Sequence, residues 1–188
     1  MGNVAGRATA LTVLSPVKPG WPLFLRLRFW IVGRFPALTK DLRKLSFIHF
    51  AYWAIVGKFP YNGPPQQEDR LHYKYLLFES NFNGMWDEYI DAFSAVLPDR
   101  MKRIWGSSYG FPGPVPVGPF KQYIRDNEFE ALHYYSAYPR ASATMIAGAL
   151  ALQGRFSTFA KQVENDDMTP EEFKAAYEAM LTDVQRHL

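Results

Sequence analysis

The chain contains no cysteine. That absence excludes disulfides, thiol catalysis and cysteine-held zinc or iron–sulfur sites, and nothing ties the fold to an oxidising compartment. A cytoplasmic protein is the resulting expectation. Histidine is scarce as well: there are four in 188 residues, with no HxH, HxxxH or HExxH spacing, so no metal site is expected. No run of 18 apolar residues exists to span a bilayer, and the first ten residues, with Gly2, Asn3 and Thr9, do not read as a secretory signal. The glycines never fall into a GxGxxG or GxxxxGK[ST] cradle, and no GxSxG elbow occurs. Internal repeats and long heptads are also missing.

What is present is apolar and aromatic. Hydrophobic residues make up 48% of the chain and aromatics 16%, enough to fill the core of one domain of this length and too much for a disordered chain. Charge is unevenly placed. Residues 1–45 carry eight basic side chains against the single acid Asp41, whereas the remainder carries thirteen basic and seventeen acidic ones. An arm of charge +7 therefore precedes a body of charge −4, which gives the arm a partner of its own: anionic lipid, nucleic acid, an acidic protein surface or the acidic body itself. The expected organisation is an arm over residues 1–45 and one α+β domain over 46–188.

Along the chain, Gly2, Gly6, Pro16, Pro19 and Gly20 suggest a loosely held lead-in over residues 1–20. Residues 21–35, WPLFLRLRFWIVGRF, admit two readings. In a helix, Arg26 and Arg28 lie about 200° apart, from ~100° per residue; in a strand they share a face. Pro22 in a first turn and arginine stems long enough to snorkel favour the helix, ended by Pro36, with a second short helix expected over 37–44. Residues 46–57 read as a strand apolar on both faces, hence covered on both, and 73–82 as a second strand stopping at Asn83-Gly84. Residues 85–105 repeat at helical spacing with a restart at Pro98. Four Gly and four Pro in residues 106–119 make an irregular loop, within which a fourth strand is entertained near 110–117. A short helix over 120–127, a third strand over 129–138 and a helix over 140–163 follow. Thr169-Pro170-Glu171-Glu172 then starts a last helix with a capping box. The predicted fold class is α+β, a ferredoxin-like sandwich of a small, mostly antiparallel sheet with helices packed on one face, plus an N-terminal amphipathic arm.

Three stretches, LSFIHFAYW (45–53), LLFESNFNGMWDEYIDAF (76–93) and HYYSAYP (133–139), together resemble an uncharacterised bacterial family with IHFARW, SNFDG and YSAYP-type motifs. The resemblance spans roughly residues 40–140 and implies a ferredoxin-like fold, without an assigned activity. Two positions depart from the pattern: Tyr52 stands where it has Arg, and Asn83 where it has Asp. If those family residues form an ion pair or a catalytic dyad, this chain has lost both charges.

Two sets of residues stand out for function. Trp21, Phe24, Trp30 and Phe35 with Arg26, Arg28 and Arg34 have the composition of an interfacial segment, rings at headgroup depth and guanidiniums toward phosphates. The same residues could instead pack on the domain itself. His49, Trp53, Glu79, Asn81, Asn83 and His133 would line a pocket between sheet and helices, with Glu79 as a general base or a histidine toward a heme. The first set implies a non-catalytic accessory protein docking to an anionic membrane surface or membrane-protein complex, at the inner face of the membrane. The second implies a small-molecule or heme-binding enzyme. The two-sided apolar strand also raises a homodimer through the sheet. Nucleic acid is disfavoured, since the arm's arginines are interleaved with Leu, Phe and Trp rather than set on a reading element.

Overall fold

The computed structural model describes residues 2–35, 42, 44–165 and 167–185. By internal contacts the chain forms two compact units, Met1–Arg140 and Ala141–Leu188.

The first unit is built on a strand that the sequence reading missed. After the short β1 (Val4–Ala5), a tight turn at Gly6 leads into β2 (Ala8–Val17), where a loose lead-in was expected. Its alternation is clean: Leu11, Val13, Ser15 and Val17 are buried, and the residues between them are half-buried. Pro16 hid it. Tyr109 donates its backbone N–H to the Pro16 carbonyl, on the side of β2 away from β4, so the N–H that proline lacks belongs to the side that at this end of the strand meets only the pair Val17 and Ser108 among the described residues.

Helix α1 (Trp21–Arg34) follows, as expected, and then β3 (Ile48–Val56) and β4 (Lys74–Asn83). Strand β4 pairs antiparallel with β2 on one side and β3 on the other. Helices α2 (Trp86–Val96) and α3 (Pro98–Trp105) are divided at Pro98, and α4 (Val117–Asn127) leads to the two-residue β5 (Glu128–Phe129), which pairs with β2. The succession β2-α1-β3-β4-α2/α3/α4-β5, with spatial order β5-β2-β4-β3 and antiparallel neighbours, is the α+β, ferredoxin-like arrangement.

The core lies between the sheet and its helices. Phe78 of β4 sits at its centre, 5.1 Å from the rings of both Trp53 and Trp105 and 6.4 Å from Phe93. Phe29 of α1 stacks on Trp53 from outside at 5.9 Å, and Tyr89 stacks on Phe82 while donating its hydroxyl to Ser80 Oγ at 2.6 Å. Burial of Tyr89 pushes its phenol well above the usual value.

Three further expectations give way. The strand predicted over 129–138 is only β5: the free edge of β2 is already taken by β1 at Ala8 and Thr9. Residues beyond β5 bond to the β1–β2 hairpin instead, Ala131 N–H to Asn3 Oδ1 and Arg7 N–H to the Pro139 carbonyl. No strand forms over 110–117; the loop touches the sheet through Ser108. Strand β3 is not covered on both faces, since Phe50 and Tyr52 stand exposed. The helix predicted over 37–44 falls largely outside the described residues.

The second unit is a pair of helices, α5 (Ala143–Asn165) and α6 (Pro170–Val184). Ser142 Oγ accepts the Met145 N–H at the start of α5, and the capping box predicted at Thr169 and Glu172 opens α6. Phe159 meets Phe173 and Tyr177 between the two helices.

Candidate functional site

Helix α1 has more apolar residues than it can bury. Pro22 and Leu25 are buried, and Phe29, four residues beyond Leu25, packs against the core. Trp21, Leu23, Phe24, Leu27, Trp30 and Ile31, with Phe35 just beyond, are exposed, Leu27 at 56% and Trp30 at 67%. The helix holds no acidic residue, and Arg26 and Arg34 are exposed among these rings. Of the seven residues predicted to dock, six are therefore at the surface. The seventh, Arg28, is half-buried and turns into a cavity.

That cavity, about 530 Å³, lies between α1 and the junction of α2 with α3. Phe24, Leu27, Ile31 and Val32 form one wall; Val96, Leu97 and Pro98 form the other. Arg28, Arg100 and Arg103 also line it, with Asp99 as the one acid among the described residues. The guanidinium of Arg28 holds its proton less tightly than usual, first because burial strips its water and then because Arg103 and Arg100 are close. Sequence reasoning found only the α1 wall. The available signal was the pair Arg100 and Arg103, three residues apart and so on one face of a helix beginning at Pro98.

The six residues of the predicted pocket are not gathered. Register pairs Tyr52 with Glu79 and Trp53 with Phe78. Trp53 is thus on the helix side, while Glu79 lies on the opposite face and accepts a hydrogen bond from the Tyr52 hydroxyl. That bond, then partial burial and the carboxylate's charge, raise the tyrosine's pKa. Asn81 pairs with Phe50 on the Glu79 face. Asn83, four residues beyond Glu79 and so about 13 Å away at ~3.3 Å per residue, donates to the Arg7 carbonyl at 2.8 Å. Positions 52 and 83 are therefore too far apart for a direct ion pair. His49 sits at an irregularity in β3, its Nε2 buried without a hydrogen-bond partner among the described residues. His133 is exposed and lies in no strand, because residues 130–139 follow the hairpin instead.

Asp87 and Asp91 of α2 are exposed but paired. Lys121 of α4 reaches them at 3.0 and 2.8 Å, and Arg125 lies over the Trp86 ring at 4.6 Å. This tie joins α2 to α4. Among the described residues no helix is long and apolar enough to cross a membrane. Comparison with protein-family models, with curated proteins and with solved structures finds no match to the chain.

Proposed function

We propose that this chain is a non-catalytic accessory protein that docks on an anionic membrane surface through α1, with the ferredoxin-like sheet as its rigid support. The observation that carries this reading is the helix itself: Leu27 and Trp30 lie more than half exposed beside Arg26 and Arg34, with no acid in fourteen residues. Aromatic rings favour the headgroup region and each arginine near an anionic surface contributes about 1 kcal/mol. The attachment is shallow and in the plane of the interface, and a cytoplasmic leaflet rich in anionic lipid would supply its charge.

Co-sedimentation with vesicles of phosphatidylcholine and phosphatidylglycerol tests it. The full chain is expected to pellet with the anionic vesicles, less so as salt rises, and Trp30→Ser or Leu27→Ser should weaken binding without lowering the melting temperature. Failure of the unaltered chain to bind anionic vesicles at low salt would sink the docking reading.

A further inference from the structure

The two edges of the sheet are finished differently. On the β2 side it ends in the two-residue strands β1 and β5, and edge strands that short give another chain little to pair with. On the other side it ends in β3, nine residues long and paired, among the described residues, with β4 alone. Over residues 49–56 no backbone hydrogen bond joins β3 to any other described element. A row of N–H and carbonyl groups therefore faces outward. The usual protections of such an edge are missing too: IHFAYWAIV holds no Lys, Arg, Asp, Glu or Pro, and its register irregularity lies at the start, between Ile48 and Phe50. None of its nine residues is fully buried, whereas five of ten are in each of β2 and β4.

We propose that this edge is the interface of a homodimer, in which β3 pairs antiparallel with β3 of a second copy and joins the two sheets into one. The strand suits itself as a partner. With no acid, lysine or arginine in it, no like charges meet when it is laid against its own copy. Residues directly opposite in an antiparallel pair point to the same face, so the two-fold axis must pass beside one residue that meets its own copy. Centring the regular stretch, 50–56, makes that residue Trp53. Tyr52 then lies opposite Ala54, Ala51 opposite Ile55 and Phe50 opposite Val56, so that large side chains meet small or branched ones. The rival arrangement, outer face against outer face, would carry the Glu79 carboxylate into a dry contact and turn the two α1 helices away from each other. Edge pairing keeps both helix layers on one side of the joined sheet. Helix α1, which meets β3 where Phe29 stacks on Trp53, is thereby presented twice to the same surface. The pairing stands on the edge alone; the doubled helix extends the docking reading by making attachment bivalent. At ~3.3 Å per residue the seam is about 25–30 Å long, a contact at the small end of specific interfaces, so the dimer depends on concentration.

Sedimentation velocity of the full chain over a wide range of concentration, without lipid, tests the pairing. A monomer–dimer equilibrium in the micromolar range is expected. Ala54→Lys puts a charge beside the axis and should weaken dimerisation about tenfold, with the melting temperature of the dilute monomer unaltered. Because the chain has no cysteine, the register can be read by mixing two single variants, Tyr52→Cys and Ala54→Cys. These positions face each other across the axis, within disulfide reach, whereas two copies of either variant are out of step by two residues. Oxidation should therefore cross-link the mixture far more than either variant alone. A chain that stays monomeric throughout would overturn the proposal, and so would a dimer whose mixture cross-links no better than its components. Binding to anionic vesicles then separates the two readings. At concentrations where the unaltered chain is dimeric, Ala54→Lys should bind about tenfold more weakly. Equal binding would overturn the bivalent attachment, and failure of the unaltered dimer to bind at all would sink docking while the edge pairing stood.

Discussion

In the sheet-built unit, Met1–Arg140, the large apolar side chains meet one another: among the described residues, eighteen buried ones from Leu11 to Ile124 form one cluster around Phe78. In the helical pair, Ala141–Leu188, they turn outward. Among its described residues only Val184 is a buried large apolar side chain, while Met145, Leu150, Phe156, Phe173 and Tyr177 are exposed. The difference lies in what each kind of element can cover. A sheet with helices on one face encloses a layer of side chains between them. Two helices share one seam and leave the rest of both surfaces bare, however good their capping and spacing. Helix α1 combines the two conditions, since its inner stripe belongs to the sheet's core and its outer face resembles the helical pair.

The largest test of this contrast is truncation in each unit. Phe78→Ala should cost about 3–5 kcal/mol, read as a fall in the urea midpoint, because its ring touches Trp53, Phe93 and Trp105 and the void cannot close. Phe156→Ala, at a side chain 55% exposed, should stay within about 0.5 kcal/mol. Comparable losses at both positions would break the comparison.

Glycines sharpen it at the next scale, and with opposite signs. Gly6 turns β1 into β2 at φ +64°, and a methyl group added there would lie 2.0 Å from the Pro139 carbonyl oxygen. Gly6→Ala combines a left-handed conformation with a backbone clash, so it should destabilise by more than about 1 kcal/mol. Gly154, inside α5, has nothing within 4 Å of such a methyl. Gly154→Ala should therefore stabilise by about 0.5–1 kcal/mol through helix propensity alone. Thermal unfolding of the two variants decides it; a loss at Gly154 would mean its helix face is covered after all.

Where the fold was legible in sequence, local chemistry sufficed. Pro98 divides α2 from α3 because proline fits a first turn, the apolar runs at 46–57 and 73–82 became β3 and β4, and Thr169 and Glu172 announced α6. Strand β2 was not legible, although Leu11, Val13 and Val17 alternate, because its Pro16 and flanking glycines carry the signature of a loop. Only the arrangement of neighbours, with the β4 side of Pro16 paired and its other side nearly free, makes that proline harmless. The segment at 133–139 failed in the opposite direction, since it has a strand's composition but follows β5 toward a stretch of β2 that β1 already pairs at Ala8 and Thr9. The same limit applies to the site. Exposed Trp30 and Arg26 could be suspected from composition, but the cavity needs Arg28 from one helix and Arg100 and Arg103 from another, seventy residues on, and no spacing within a single segment connects them.

The most local expected effects are at the start of α6, where one cap holds the first turn. Thr169 Oγ1 accepts the Glu172 N–H, and the Glu172 carboxylate accepts the Thr169 N–H at 2.9 Å. Thr169→Ala should cost about 1 kcal/mol, seen as faster hydrogen exchange in the first turn of α6 before any change in the sheet. The carboxylate makes the cap sensitive to pH in one direction. Hydrogen bonds from the Thr169 backbone and hydroxyl hold the Glu172 pKa below its ordinary 4.5. Between the two values the unfolded chain binds more protons than the folded one, so stability rises with pH there. The contribution is complete above 4.5 and is lost as pH falls through the lowered value. Glu172→Gln keeps an acceptor for the Thr169 N–H but removes the charge. Exchange in the first turn of α6 should therefore be faster in the variant at neutral pH, and the two proteins should converge as the carboxylate is titrated in acid. Strand β4, whose buried residues include no carboxylate, should show no such convergence over the same range.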